Sequence, residues 1–223
     1  ITDSLVGSEM CIRDRVNMAD AYIKWWRSQD YYDSGDWRGT WKLDGGGALM
    51  NQSIHTIDLL LYLMGPIKNV RAETRLRGHT AIEVEDTAVA LCEFEGGALG
   101  VIQGSTASWS KTGHSAEIQI TGSRGSVFMA DDYFKVWEFD DETEADEIIR
   151  KEFMDQSSRG GAGAADPSAI DFSWHTRNYE DIVAAIVNKG KPKITGEEAR
   201  RSVALIAAIY ESAALGGKRV EVS

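Results

Sequence analysis

Apolar side chains between two glycine signals define the most regular stretch of the chain. Met50, Ile54, Ile57, Leu61 and Met64 recur at spacings of four and three, which stacks them on one face of a helix. Gly45, Gly46 and Gly47 precede the run and Gly65-Pro66 closes it, so the pattern predicts one helix with an inward apolar stripe. A second stripe, Asn51, His55, Asp58 and Tyr62, keeps the same spacing and is polar. An amide and an imidazole one turn apart can converge on one small ligand, and Asp58, a turn further on, is placed to hold the ring. The triple glycine, without Cβ, admits another backbone or a flat ligand at close range.

Elsewhere the pattern shortens to strand period. Residues 16–27, rich in aromatic and β-branched side chains, predict a strand entering a sheet. An aromatic-rich loop over 31–41 follows. Residues 70–77 and 86–94 read as strands, and the turn at Glu95-Gly96-Gly97 returns the chain through 98–103 as a hairpin. Segments 117–121, 127–129 and 133–139 alternate between further turns as a meander. Such short connections cannot carry parallel crossovers, so the fold class expected is α+β: a large, mainly antiparallel open β-sheet with helices packed on one face. The other face, with Val89, Leu91, Val101, Trp137 and Phe139, is expected to be covered by a second subunit. Residues 140–152 form an acidic run expected to be solvated, and 157–165 a small-residue flexible loop. Tyr179, Ile182, Val183, Ile186 and Val187 mark a helix. Thr195 and Glu198 form a capping box before a last helix whose buried stripe is Ala199, Val203, Ile206 and Tyr210.

Composition narrows the function classes. With 24 basic against 35 acidic residues the chain carries a formal charge of −11, which argues against nucleic-acid and anionic-membrane partners. No apolar run approaches the roughly 20 residues needed to cross a bilayer. Cys11 and Cys92 are too few for a disulfide framework or a zinc site, which fits a reducing, cytoplasmic compartment. Residues 1–15 lack an initiating methionine and any period and read as a non-native tail, leaving 16–223 as one domain whose upstream protein has been cut away.

The glycine run, the sequence Asn51-Gln52-Ser53-Ile54-His55 with Asp58, and the preceding Trp37-Arg38-Gly39-Thr40-Trp41 together resemble the second domain of the Gfo/Idh/MocA family. This is a family of nicotinamide-dependent sugar and cyclitol oxidoreductases, and the resemblance spans residues 16–223. It implies His55 as proton acceptor during hydride transfer and Asn51 at a position often held by aspartate, while Ser53 stands where glycine is frequent. Asparagine hydrogen-bonds a hydroxyl but takes no proton, so the acid-base work falls on His55. The resemblance also places Arg38 and Trp37 at the cleft and hints that His175 looks toward it; on the residues alone, His175 reads as a helix-boundary residue bonded to backbone. The implied cofactor is NAD or NADP, bound mainly by a first domain that this sequence lacks. No G-x-G-x-x-G follows an apolar strand, and Lys191-Pro192 is not where a catalytic Lys-Pro is expected.

The expectation is therefore a substrate-side and assembly domain, inactive alone, of an enzyme oxidising a secondary alcohol of a sugar or cyclitol, and homo-oligomeric through its sheet. The alternative is a non-catalytic small-molecule-binding or oligomerisation module, kept open by Asn51. A metal hydrolase built on His55 and Asp58 is weaker, since two ligands three residues apart fall short of a site.

Overall fold

The structure is a computed structural model and describes residues 12–13, 15–154 and 173–223, with Trp174 as backbone only. The small-residue loop expected at 157–165 lies outside the described residues.

Alternating sequence builds one eight-stranded sheet from β1 (Val16–Lys24), β2 (Ile67–Arg75), β3 (Thr87–Phe94), β4 (Leu99–Ser105), β5 (Glu117–Gly122), β6 (Gly125–Ala130), β7 (Tyr133–Phe139) and β8 (Val220–Glu221). The spatial order is β7-β6-β5-β1-β4-β3-β2-β8. Every adjacent pair is antiparallel except β1 and β4, which run parallel with Ala21 opposite Ile102. The first strand is thus inserted at the centre of the meander, and the 106–116 connection between β4 and β5 must step across it.

The inward face of the central strands is lined by small side chains. Ala19, Ala21, Ala88 and Ala90 are buried there beside Ile23, Ile102, Ile118 and Ile120. Small residues let a helix approach the sheet: a Cβ added at Gly104 would lie 2.8 Å from both Leu49 Cδ2 and Ser53 Oγ.

The helices of the described residues are α1 (Gln29–Asp33), a π-helical turn (Ala48–Ser53), α2 (Ile54–Met64), α3 (Glu144–Phe153), α4 (Ser173–Val187) and α5 (Gly196–Ala214). The stretch expected as one helix over 50–64 is interrupted at its start by the π turn. Its wider winding rotates the buried face, so Leu49, Ile57, Leu60 and Leu61 are buried while Met50, Ile54 and Met64 are half-buried. In α5 the buried stripe is likewise displaced: Ser202, Leu205, Ile206, Ala208, Ile209 and Ser212 face inward, whereas Ala199 and Val203 are exposed. Its predicted cap is present, with Thr195 Oγ1 accepting from the Glu198 N–H at 3.3 Å. The apolar stripe of α4 does not enter the core; Tyr179, Val183, Ile186 and Val187 are exposed.

The acidic run is not merely solvated. Residues 144–153 fold as α3 because Asp146, 2% exposed, gathers the backbone N–H and hydroxyl of Thr143, the Trp137 indole N–H and the Arg13 guanidinium. Burial opposes its ionisation, but these donors outweigh it and hold the carboxyl far below the usual carboxylate range. Trp137 and Phe139 also differ from expectation. They point to the helix side, where with Leu59, Leu63 and Met129 they line an apolar cavity of about 360 Å³. The open face carries exposed Val89 and Leu91 and half-buried Val101 as expected, together with exposed Met18 and Leu99. No described helix is long and apolar enough to cross a membrane.

Candidate functional site

The start of the π turn is fixed by a carboxylate that arrives from far along the chain. Glu85, 5% exposed, accepts from the N–H of Gly47 at 3.0 Å, the N–H of Leu49 at 2.8 Å and the Tyr210 hydroxyl at 3.0 Å. The Ala48 N–H donates to the Glu85 carbonyl at 3.0 Å. The first backbone donors of the helical stretch are therefore satisfied by one buried residue. Burial pushes the Glu85 carboxyl up, against the opposing pull of the Leu49 and Tyr210 donors, and burial beside this carboxylate raises the Tyr210 phenol. Gly47 is required by space: a Cβ there would sit 1.8 Å from the Glu85 carbonyl oxygen.

On this anchored turn Asn51 and Gln52 enter a chain of polar contacts. Asp44 Oδ2 accepts the Gly39 N–H at 2.8 Å and its Oδ1 accepts Asn51 Nδ2 at 2.5 Å. Gln52 Nε2 donates to Asn51 Oδ1 at 2.8 Å and to Tyr31 Oη at 3.3 Å. Tyr31 Oη also accepts from Arg38 Nη1 at 3.1 Å, and the Arg38 guanidinium stacks on the rings of both Tyr31 and Trp37, 4.3 Å from each centroid. The aromatic loop and the helix start form one surface in this way.

A second buried centre holds the loop in place. Asp86, fully buried, accepts the N–H groups of Arg77, Gly78 and His79 and pairs with His79 Nδ1 at 3.0 Å, while His79 Nε2 lies 2.8 Å from the Arg27 carbonyl oxygen. Burial alone would raise the Asp86 carboxyl; the Gly78, Arg77 and His79 donors together lower it. Tyr32 packs its edge on His79 and bonds Thr106 Oγ1 at 2.8 Å, and burial pushes its phenol up to about 12. Segment 27–33, which carries Tyr31, is tied to the sheet by these contacts.

Of the residues the sequence singles out, the structure joins Asn51, Arg38 and Trp37. His55 follows one turn beyond Asn51 with its imidazole exposed. Asp58 is exposed on the next turn and lies in a shallow hollow with Tyr62, Ile194, Glu198 and Arg201. The expected ring-holding bond from Asp58 to His55 is not made; among the described residues His55 has no hydrogen bond or ion pair, and both side chains are exposed. His175 stands exposed in the first turn of α4. Sequence reasoning missed Glu85, Tyr210, Tyr31, Gln52 and Asp44. Two signals could have found some of them: a pair of acids, Glu85-Asp86, directly ahead of an apolar strand, and an acid directly ahead of the glycine run.

Comparison with known proteins places this geometry in context. A family model described as the GFO/IDH/MocA C-terminal domain matches residues 14–128. Among solved structures, the WlbA dehydrogenase of Bordetella pertussis in complex with NADH and UDP-GlcNAcA is 31% identical, with a TM-score of 0.77 over 94% of this chain and 55% of that one. The D-apiose dehydrogenase of Rhizobium rhizogenes is 24% identical over 182 residues, covering 76% of this chain and 47% of its own. The myo-inositol 2-dehydrogenase of Thermotoga maritima is 33% identical over 91 residues, 37% of this chain and 25% of its own. The chain spans about half the length of the D-apiose dehydrogenase it matches.

Proposed function

The chain belongs to the GFO/IDH/MocA family, and from that premise we propose that it forms the substrate side of an NAD(P)-dependent oxidoreductase acting on a secondary alcohol of a sugar or cyclitol. The observation that carries the reading is an exposed imidazole, His55, on the turn after an amide network that is itself rigidly held. A dehydrogenase in complex with UDP-GlcNAcA, a D-apiose dehydrogenase and a myo-inositol 2-dehydrogenase among its relatives support the substrate class.

Within the proposal His55 takes the hydroxyl proton, a role suited to a group whose unperturbed pKa is about 6.5. Asn51, with one Nδ2–H on Asp44, retains a second N–H for the substrate hydroxyl, and Arg38 between Tyr31 and Trp37 offers a cation and a flat apolar face beside it. Asp58, further along the same helix, and His175 are assigned as secondary substrate contacts on the family resemblance. The described residues do not fit a dinucleotide cradle: the Cβ positions of Gly46 and Gly47 are filled by Tyr210, Met50 and Glu85, and the Gly47 N–H is already bonded. The nicotinamide group is therefore assigned to another part of the parent protein, and this chain alone to an inactive state. The non-catalytic alternative remains favoured by one feature, the amide at position 51.

The test is reduction of NAD or NADP across a panel of sugars and inositols by a protein carrying this domain behind a dinucleotide-binding half. His55→Ala should lower turnover by about 10²–10⁴-fold, the usual contribution of a general base. Turnover near that of the unsubstituted protein removes His55 from the mechanism, and no reduction with any polyol favours the binding module.

A further inference from the structure

Asn51 has its amide orientation dictated by two neighbours, one of them outside the helix. Its Nδ2 points at a carboxylate, which only accepts, and its Oδ1 faces Gln52 Nε2, which only donates. Reversing the amide would set oxygen against oxygen and N–H against N–H. Asp44 is in turn held by the Gly39 N–H and by its own N–H, which donates to the Thr40 carbonyl at 3.0 Å. It belongs to a backbone turn, not to the helix that carries Asn51.

We propose that Asp44 is a positioning residue that fixes the Asn51 amide from the loop, and that positions 44 and 51 together accommodate one carboxylate and one amide but not two carboxylates. Asp44 turns the Asn51 amide so that its oxygen is spent on Gln52 and one N–H is left facing outward. The consequence for substrate rests on the function proposed above; the pairing itself does not. The charged and titratable groups around the pair are Arg38 and Tyr31, reached through Gln52, Glu83, whose Oε2 accepts the Trp41 N–H at 3.0 Å and whose N–H donates to the Gly39 carbonyl, and the Glu85–Tyr210 pair at Gly47. None of these places a cation on Asp44, so a second carboxylate at position 51 would meet it without a neutralising partner.

The experiment compares the 223-residue chain with Asn51→Asp, Asp44→Asn and the exchanged pair Asp44→Asn/Asn51→Asp. At neutral pH, Asn51→Asp should lower the unfolding temperature by roughly 5 °C, since two adjacent carboxylates cannot both ionise cheaply. The deficit should shrink on mild acidification, and the exchanged pair should recover most of it. Independently, the side-chain amide protons of Asn51 in a ¹⁵N-resolved spectrum should carry the downfield shift of a charge-assisted bond and lose it in Asp44→Asn. The proposal is overturned if Asn51→Asp melts with the unsubstituted chain at neutral pH, if the exchanged pair is no more stable than Asn51→Asp, or if Asp44→Asn leaves the Asn51 resonances in place. None of these readouts uses turnover, so they stand or fall apart from the proposed activity.

Discussion

A single carboxylate, Glu85, joins three parts of the chain: the glycine run, the strand it precedes and Tyr210 on the last helix. Replacing it with alanine strands two backbone N–H groups and a phenol in a buried place, and a loss of about 3 kcal/mol in urea unfolding is expected. The same residue sets a pH dependence whose sign follows from its environment. Its folded carboxyl is raised above the ordinary 4.5, so the folded state holds the proton more tightly than the unfolded one. Its contribution to stability is complete below 4.5 and is lost as pH rises through the raised folded value. Glu85→Gln should flatten that decline in stability measured against pH, and an unchanged slope would assign the decline to other groups. The residue was hidden from sequence reasoning because its partners lie 36, 38 and 125 positions away.

The element that matters most is the helical stretch 48–64, and the glycines at its two ends have different work. At Gly47 the demand is space, since the added Cβ would collide with the backbone of Glu85. At Gly65 the demand is conformation, with φ at +76° and nothing within 4 Å of an added Cβ. Gly47→Ala should therefore cost about 3 kcal/mol by overpacking, and Gly65→Ala about 1–2 kcal/mol by backbone strain alone, since its ψ of −170° lies outside the left-handed helical well. Chemical denaturation of both variants separates the two causes; equal losses would refute the distinction. The glycines, the apolar period and the Gly-Pro stop were all readable as sequence. The π turn was not, because the backbone widens there to meet Glu85 and to let Ser53 Oγ reach the Ala48 carbonyl at 2.8 Å, and those are demands of packing rather than of propensity.

For the whole molecule the open sheet face presents exposed Met18, Val89, Leu91 and Leu99 side by side. Met18 pairs with Leu99 across β1 and β4, and Leu91 pairs with Val101 across β3 and β4, which makes Met18, Leu91, Leu99 and Val101 one contiguous apolar patch. Leu91 and Leu99 remain 59% and 58% exposed, enough for self-association through this face to be the expected use. Leu91→Lys with Leu99→Lys should convert an oligomer to a monomer in size-exclusion light scattering while leaving the unfolding transition intact. A mass unchanged by both substitutions would move the interface elsewhere. Val89, Leu91 and Val101 were legible as members of this face by their alternation; Trp137 and Phe139 were not, because which face they take is set by pairing across the sheet, where Trp137 lies opposite Val127, Val127 opposite Ile120 and Ile120 opposite the buried Ala19.

The sequence by itself determined the local grammar: strand alternation, the helical run after three glycines, the Thr195 cap, and the polar identities of Asn51 and His55. These follow from rules that act within a few residues, where side-chain period and backbone freedom decide the outcome. Only the tertiary structure decided that β1 lies parallel to β4 at the centre of the sheet, that the stripes of α2 and α5 turn away from their simplest phase, that Asn51 answers to Asp44 and Gln52, and that Asp58 does not hold the His55 ring. Each of those depends on which distant segment returns to satisfy a buried donor or fill a space beside an alanine or glycine, and local period carries no record of that return.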